Sequence, residues 1–182
     1  MKKIVKVFIS ILTIGAWLVI GLHAQQNQPG KLNKQELKFL REVVGVNVWY
    51  LKTGKMAEKR AKNPVVMKFA EVMINEHRES NARLLAIAKQ KGIELPVEMD
   101  PRQKKIYERL QNAKNFDVAY MQEMINGHKH LLLKMEQEKP KISDPDLKDW
   151  MAKMLPAVRV NTAAAEEILV KVRFAQKYGG GK

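Results

Sequence analysis

Residues 63–92, NPVVMKFAEVMINEHRESNARLLAIAKQKG, decide the fold. Asn63 is a good helix cap, and Pro64 suits a first helical turn because its missing N–H costs nothing there. Val66, Phe69, Ala70, Met73, Leu84 and Ala88 then recur on one side of a 3.6-residue period, and Gly92 closes the run. The segment therefore predicts one long amphipathic helix with its own start and stop. His77 falls on the apolar side, four residues after Met73 and seven before Leu84.

The same logic extends upstream and downstream. Asn33 followed by Glu36 is a capping-box pattern, and Leu37, Leu40, Val44, Tyr50 or Leu51, and Ala57 carry a first helix to about Lys62. After Gly92, the stretch GIELPVEMDP up to Pro101 has no helical rhythm, and Arg102 to Leu110 predicts a short helix. A third long helix starts near Asn115 and runs to Glu138 on Tyr120, Met124, Leu131 and Met135. The last runs from about Asp146 to Gln176, with Pro156 inside it as an expected kink. No stretch alternates with period two. The fold class expected is all-α: a four-helix bundle with a short extra helix in its middle crossover. That crossover lets the second and third long helices run nearly parallel, which is the ferritin-like connection.

A chain of 182 residues holds one such domain, and 46% apolar residues supply its core. With no cysteine, disulfides, zinc–thiolate sites and thiol catalysis are excluded. There is no glycine-rich phosphate loop, GxSxG or HExxH. At the amino terminus, Lys2, Lys3 and Lys6 precede an apolar run from Val7 to Leu22 that is shorter than the ~20 residues of a membrane span. Residues 1–24 thus predict a secretory signal cut after Ala24, with an uncleaved anchor as the alternative. Residues 25–33 form a polar linker, 34–178 the bundle and 179–182 a flexible tail. The expected location is the periplasm or cell envelope, with no transmembrane span in the mature chain.

The informative residues are polar side chains placed where the core should be. Asn47, His77, His128 and Asn161 each interrupt the apolar stripe of a different long helix. A buried imidazole or amide left without a partner costs about 1–3 kcal/mol, so these four are expected to meet and satisfy one another across the core. The alternative makes His77 and His128 ligands of a transition metal such as zinc, copper or iron. A ferritin-type di-metal centre needs Glu-x-x-His pairs, yet Ile74 and Ile125 occupy the positions three before His77 and His128. Glu76 is rotated away from His77, and Asp117 lies three turns before His128. The 10 methionines, Met121, Met124, Met135, Met151 and Met154 among them, would suit Cu(I) but at this spacing also read as core filler.

The segments VVMKFAEVMINEHRESNARLLAIAKQKGIELP (65–96), NFDVAYMQEMINGHKHLL (115–132) and MLPAVRVNTAAAEEIL (154–169) resemble the DUF4142 family of exported bacterial domains. The resemblance is carried by Met73 with His77, Phe116 with Asp117 and Tyr120, Gly127 with His128, and Leu155 with Pro156. It implies a ferritin-like fold and an exported protein without assigning an activity. Two positions depart from it. Asn161 stands where the family often has a histidine, and Tyr50 stands four before Gly54, where it often has a glutamate.

Charge completes the reading. Lys plus Arg exceeds Asp plus Glu by 33 to 19, a formal charge of +14. Residues 31–62 carry nine cations and three acids, and beyond Ile168 come Lys171, Arg173, Lys177 and Lys182 with no acid. Such a surface suits an anionic envelope surface or another envelope protein. Features that read bases are missing, which argues against nucleic acid. The expected function is a non-catalytic structural, stress-related or interaction role in the envelope, with no cofactor. Metal binding or metal-dependent redox chemistry at the inward histidines is the alternative.

Overall fold

The structure is a computed structural model and describes residues 30–178; the expected signal at 1–24, most of the linker and the tail at 179–182 lie outside the described residues. Its long helices are α1 (Lys34–Arg60), α2 (Pro64–Gln90), α4 (Phe116–Glu138) and α5 (Pro145–Tyr178), with the short α3 (Pro101–Gln111) in the crossover and a 3₁₀ turn at Lys139–Lys141. Among the described residues there is no strand. The boundaries follow local chemistry. Asn33 Oδ1 accepts from the N–H groups of Gln35 and Glu36 while Glu36 reaches back to the Asn33 N–H. Asn63 caps α2 ahead of Pro64. Gly92 leaves α2 at a φ of +67°, a conformation that suits glycine, and Ile93 N–H closes back on the Ala88 carbonyl at 2.9 Å.

α1 packs along α2 and α4 along α5, so the bundle is a pair of helical hairpins. They lie head to tail, each closed turn at the open end of the other. α2 and α4 are therefore parallel, as the long crossover predicts, and α3 returns the chain along α1 and α4. The ferritin-like arrangement follows. The core draws on all four long helices, with Tyr50, Met73, Leu84, Tyr120, Met124, Leu147 and Trp150 fully enclosed. α5 continues as one helix through Pro156. Pro156 and Ala152, whose carbonyl loses its donor, both face solvent, so water can take the freed acceptor.

Two buried carboxylates join the hairpins. At one end Glu36 accepts from Ser143 N–H at 2.7 Å, Ser143 Oγ at 2.8 Å and Asp144 N–H at 2.9 Å. Burial alone would raise its carboxyl, but these bonds, together with that from the Asn33 N–H, hold it below the usual carboxylate value. Beside it, the almost fully enclosed Lys91 Nζ pairs with Asp144 at 2.6 Å and Asp146 at 3.1 Å. At the other end Asp117, at the start of α4, accepts from the N–H groups of Lys62 (3.1 and 3.2 Å) and Asn63 (2.9 Å). Arg60 closes α3 there by donating to the carbonyls of Leu110, Gln111 and Ala113 at 2.5–2.9 Å, with its guanidinium over the Phe116 ring.

Replacing Glu36 with glutamine keeps the volume but turns an NH₂ toward N–H donors. Glu36→Gln is expected to destabilise the fold by about 2–4 kcal/mol, measured as a lower urea midpoint with an unchanged slope.

Candidate functional site

At mid-height of the bundle, α1, α2 and α4 bring three rings together. Tyr50 stacks on His77 with centroids 3.9 Å apart and planes 7° apart. Its ring also lies 4.6 Å from His128, tilted by 40°. The two imidazole centroids are 5.8 Å apart. All three side chains are buried. Their positions follow from the helical period: Asn47 and Tyr50 lie one turn apart on α1, while His77 and His128 each follow a core methionine by four residues, Met73 and Met124.

The four polar residues singled out in the sequence divide in the structure. All four are buried, but they do not form one network. Asn47 Oδ1 lies 2.8 Å from His77 Nδ1, and the Asn47 amide donates to Ser80 Oγ at 3.1 Å. Ser80 Oγ also receives the Trp150 indole N–H at 3.2 Å. His128 Nδ1 is satisfied locally by the Met124 carbonyl at 2.8 Å, one turn earlier on its own helix. Asn161 takes another partner altogether, donating to Glu76 Oε2 at 2.5 Å. The expected mutual satisfaction of Asn47, His77, His128 and Asn161 is therefore corrected. An imidazole one turn from a carbonyl can close its own bond, and Tyr50 packs against both histidines.

These bonds set the tautomers. A carbonyl and an amide oxygen only accept, so both histidines carry their proton on Nδ1. Each Nε2 is then a bare acceptor, and both are buried without a partner among the described residues. Burial, then the nearby His128, lowers the His77 pKa well below the usual histidine value. Burial lowers His128 to about 4, against a smaller opposing effect of its bond to Met124. Burial raises the Tyr50 hydroxyl well above 10, with Tyr120 adding to the shift. The centre is electrically neutral at physiological pH.

The donor set decides which metals could fit. Ile74 and Ile125 are buried and apolar where a ferritin-type centre needs glutamates. Among the described residues no group of three His, Asp or Glu side chains is placed to hold a metal. Hard ions that require carboxylates do not fit. Two imidazole lone pairs with Met73, Met121 and Met124 buried in the same core are a softer set.

The residues whose part in this centre was not assigned from the sequence are Tyr50, Ser80 and Trp49. A Cβ on Gly127 would stand 2.7 Å from the Tyr50 hydroxyl and 3.0 Å from the Trp49 ring, so the glycine of the Gly-His pair makes room for the aromatics of α1. The Tyr50 departure was visible as a sequence signal, but its contact with both histidines depends on the packing of three helices. Phe116 and Tyr120 stack on each other at 5.7 Å, and Asp117 between them serves the turn described above. Leu155 is core, and Pro156 faces solvent.

Helical hairpins placed head to tail, with parallel second and third long helices, define a ferritin-like bundle. The chain matches the profile of DUF4142, a domain of unknown function, over residues 21–168, and it belongs to that family. Its fold is similar to the crystal structure of a DUF305 fragment from Deinococcus radiodurans, with a TM-score of 0.70 and 13% identity over 78% of this chain and 99% of that one. At that identity the likeness shows the fold alone. No curated protein is similar enough in sequence to be matched with this chain.

The neutral histidines make stability pH-dependent. A depressed folded pKa means that the unfolded chain binds more protons between the two values, so stability rises with pH through that window. For His128 the window runs from about 4 to the unfolded value near 6.5. Lowering the pH from 8 to 5 is expected to cost about 2 kcal/mol for this group alone. Urea midpoints across this range should show the loss in wild type, and a His77→Leu/His128→Leu variant should lose most of the dependence.

Proposed function

We propose that this protein is a non-catalytic interaction module of the bacterial cell envelope that attaches to an anionic surface through the carboxyl-terminal end of α5. One observation carries the reading. Val170, Phe174 and Tyr178 form an i, i+4, i+8 stripe with 68%, 65% and 60% of their surface exposed, and the Phe174 and Tyr178 rings lie 4.7 Å apart. Lys171, Arg173 and Lys177 flank the stripe, Lys177 over the Tyr178 ring at 5.1 Å. Apolar and aromatic side chains set among cations suit the boundary between anionic headgroups and acyl chains. At the same end of the bundle, α2 adds exposed Val65 and Met67, and Lys62 and Lys114 line the adjoining hollow.

The interior supports a role without catalysis. Burial keeps His77 and His128 neutral, and buried Ile74 and Ile125 stand one turn before them where a carboxylate partner would be needed. Among the described residues no helix is long and apolar enough to cross a membrane. Placement in the envelope rests on the signal-like residues 1–24.

The test is sedimentation with vesicles of phosphatidylcholine alone or mixed with phosphatidylglycerol. Binding is expected with the anionic vesicles only. It should weaken about tenfold or more in Phe174→Ser/Tyr178→Ser and fall similarly in Lys171→Gln/Arg173→Gln/Lys177→Gln. Equal binding by all variants would overturn the reading.

A second reading is favoured by the two bare Nε2 atoms. His77 and His128 would hold one soft monovalent ion, Cu(I) or Ag(I), with the core thioethers as further donors. Anaerobic titration of protein purified without a histidine tag should then show one equivalent bound, lost in His77→Leu/His128→Leu. Absence of competition with a bicinchoninate indicator would remove this reading.

A further inference from the structure

Where α1 turns into α2, the end of the bundle holds a hollow of about 640 Å³, within the ~300–1,000 Å³ range of small-molecule sites. The α1–α2 turn, the start of α4 and the last turns of α5 enclose it. Its wall on α5 is Val172, Ala175 and Gln176. By the helical period these lie on the side of α5 away from Val170, Phe174 and Tyr178. The hollow is therefore separate from the apolar stripe of the proposed surface contact.

Its charge comes from Arg60, Lys62 and Lys114. Lys62 and Lys114 are exposed, and among the described residues neither has an ion-pair partner. Arg60 is fixed in place. The carbonyls of Leu110, Gln111 and Ala113 take three of its five N–H bonds, and its guanidinium lies 4.7 Å from the centre of the Phe116 ring. The acid in the wall, Asp117, has both oxygens engaged by the N–H groups of Lys62 and Asn63. Three cations against one carboxylate leave an excess of two positive charges. At the edge, the Asn115 and Gln176 amides exchange two hydrogen bonds of 2.7 Å.

We propose that this hollow binds a small phosphomonoester on a hydroxylated carbon skeleton. A phosphate dianion answers two positive charges at one centre, whereas a carboxylate or a phosphodiester carries only one. Its three terminal oxygens are acceptors for the Lys62 and Lys114 ammonium groups and for the donors that Arg60 has left. The skeleton's hydroxyls suit the Asn115 and Gln176 amides, which both donate and accept. Because Arg60 is held by the chain itself, little ordering of that side chain is required on binding.

The test is ¹H–¹⁵N NMR titration with glycerol 3-phosphate, inorganic phosphate and glycerol. Glycerol 3-phosphate is expected to move the amide signals of Lys62, Asn63 and Phe116 saturably. Inorganic phosphate should move the same signals with lower affinity, and glycerol should leave them in place. Lys62→Gln/Lys114→Gln should weaken glycerol 3-phosphate about tenfold or more, the change that charge-assisted bonds carry. Lys55→Gln/Lys59→Gln removes two exposed cations of the same bundle end outside the hollow and should change affinity by about twofold at most. Ala175→Trp, which fills the hollow from an exposed position, should abolish binding, and the spectra themselves show whether each variant is folded. Unmoved signals at millimolar glycerol 3-phosphate would overturn the proposal. So would equal losses in the two lysine pairs, which mark a diffuse field, inorganic phosphate binding as tightly as its glycerol ester, or binding that survives Ala175→Trp. No vesicle enters the titration, so its failure leaves the surface contact of α5 standing.

Discussion

The fold depends on a reciprocal exchange of buried carboxylates for turn amides. Each hairpin presents an acid at its open end to the closed turn of the other: Glu36 to Ser143 and Asp144, and Asp117 to Lys62 and Asn63. A turn leaves N–H groups that its own helices cannot satisfy. A carboxylate leaving water needs several donors at once. The two deficits cancel at both ends of the bundle. With its ends fixed in register, the middle of the structure can hold the stacked Tyr50, His77 and His128 at one height.

Much of this architecture is legible in the sequence, because it rests on short-range signals. Asn33 with Glu36, Asn63-Pro64 and Gly92 mark helix ends within one or two residues, and the apolar stripes name most of the core. The long stretch between Gly92 and Asn115 indicates the parallel second and third long helices. What could not be read is which polar group reaches which. Asp117 shows a shared face with His128 three turns away, but its bonds to Lys62 and Asn63 come from the meeting of two hairpins. The same holds for Lys91, a surface residue by pattern and yet enclosed between Asp144 and Asp146.

The bundle centre makes the point more sharply. Periodicity places Asn47, His77, His128 and Asn161 inward, and all four are buried. Inward is a direction, however, and hydrogen bonding is a matter of ångströms. Asn161 reaches Glu76, a residue set aside because it is rotated from His77, and that rotation is what carries it toward α5. His128 needs no neighbour because the Met124 carbonyl lies one turn away. Tyr50 enters where resemblance suggests an acid, and Gly127 gives it space. An aromatic ring stands there in place of a carboxylate, stacked on His77 and packed against His128.

The sequence separation of the clamps implies an order of assembly. Each hairpin closes through contacts between neighbouring helices, whereas Glu36 and Ser143 are 107 residues apart and Lys62 and Asp117 are 55 apart. Local closure costs less chain entropy than joining distant segments, so the hairpins form ahead of their union. The amides that the acids recognise are gathered in place only when a turn is already complete. Each carboxylate thus inspects the opposite hairpin: it docks on a finished turn and finds too few donors on an unfinished one. Misregistered pairings of the halves are penalised at both ends before the aromatic centre is sealed.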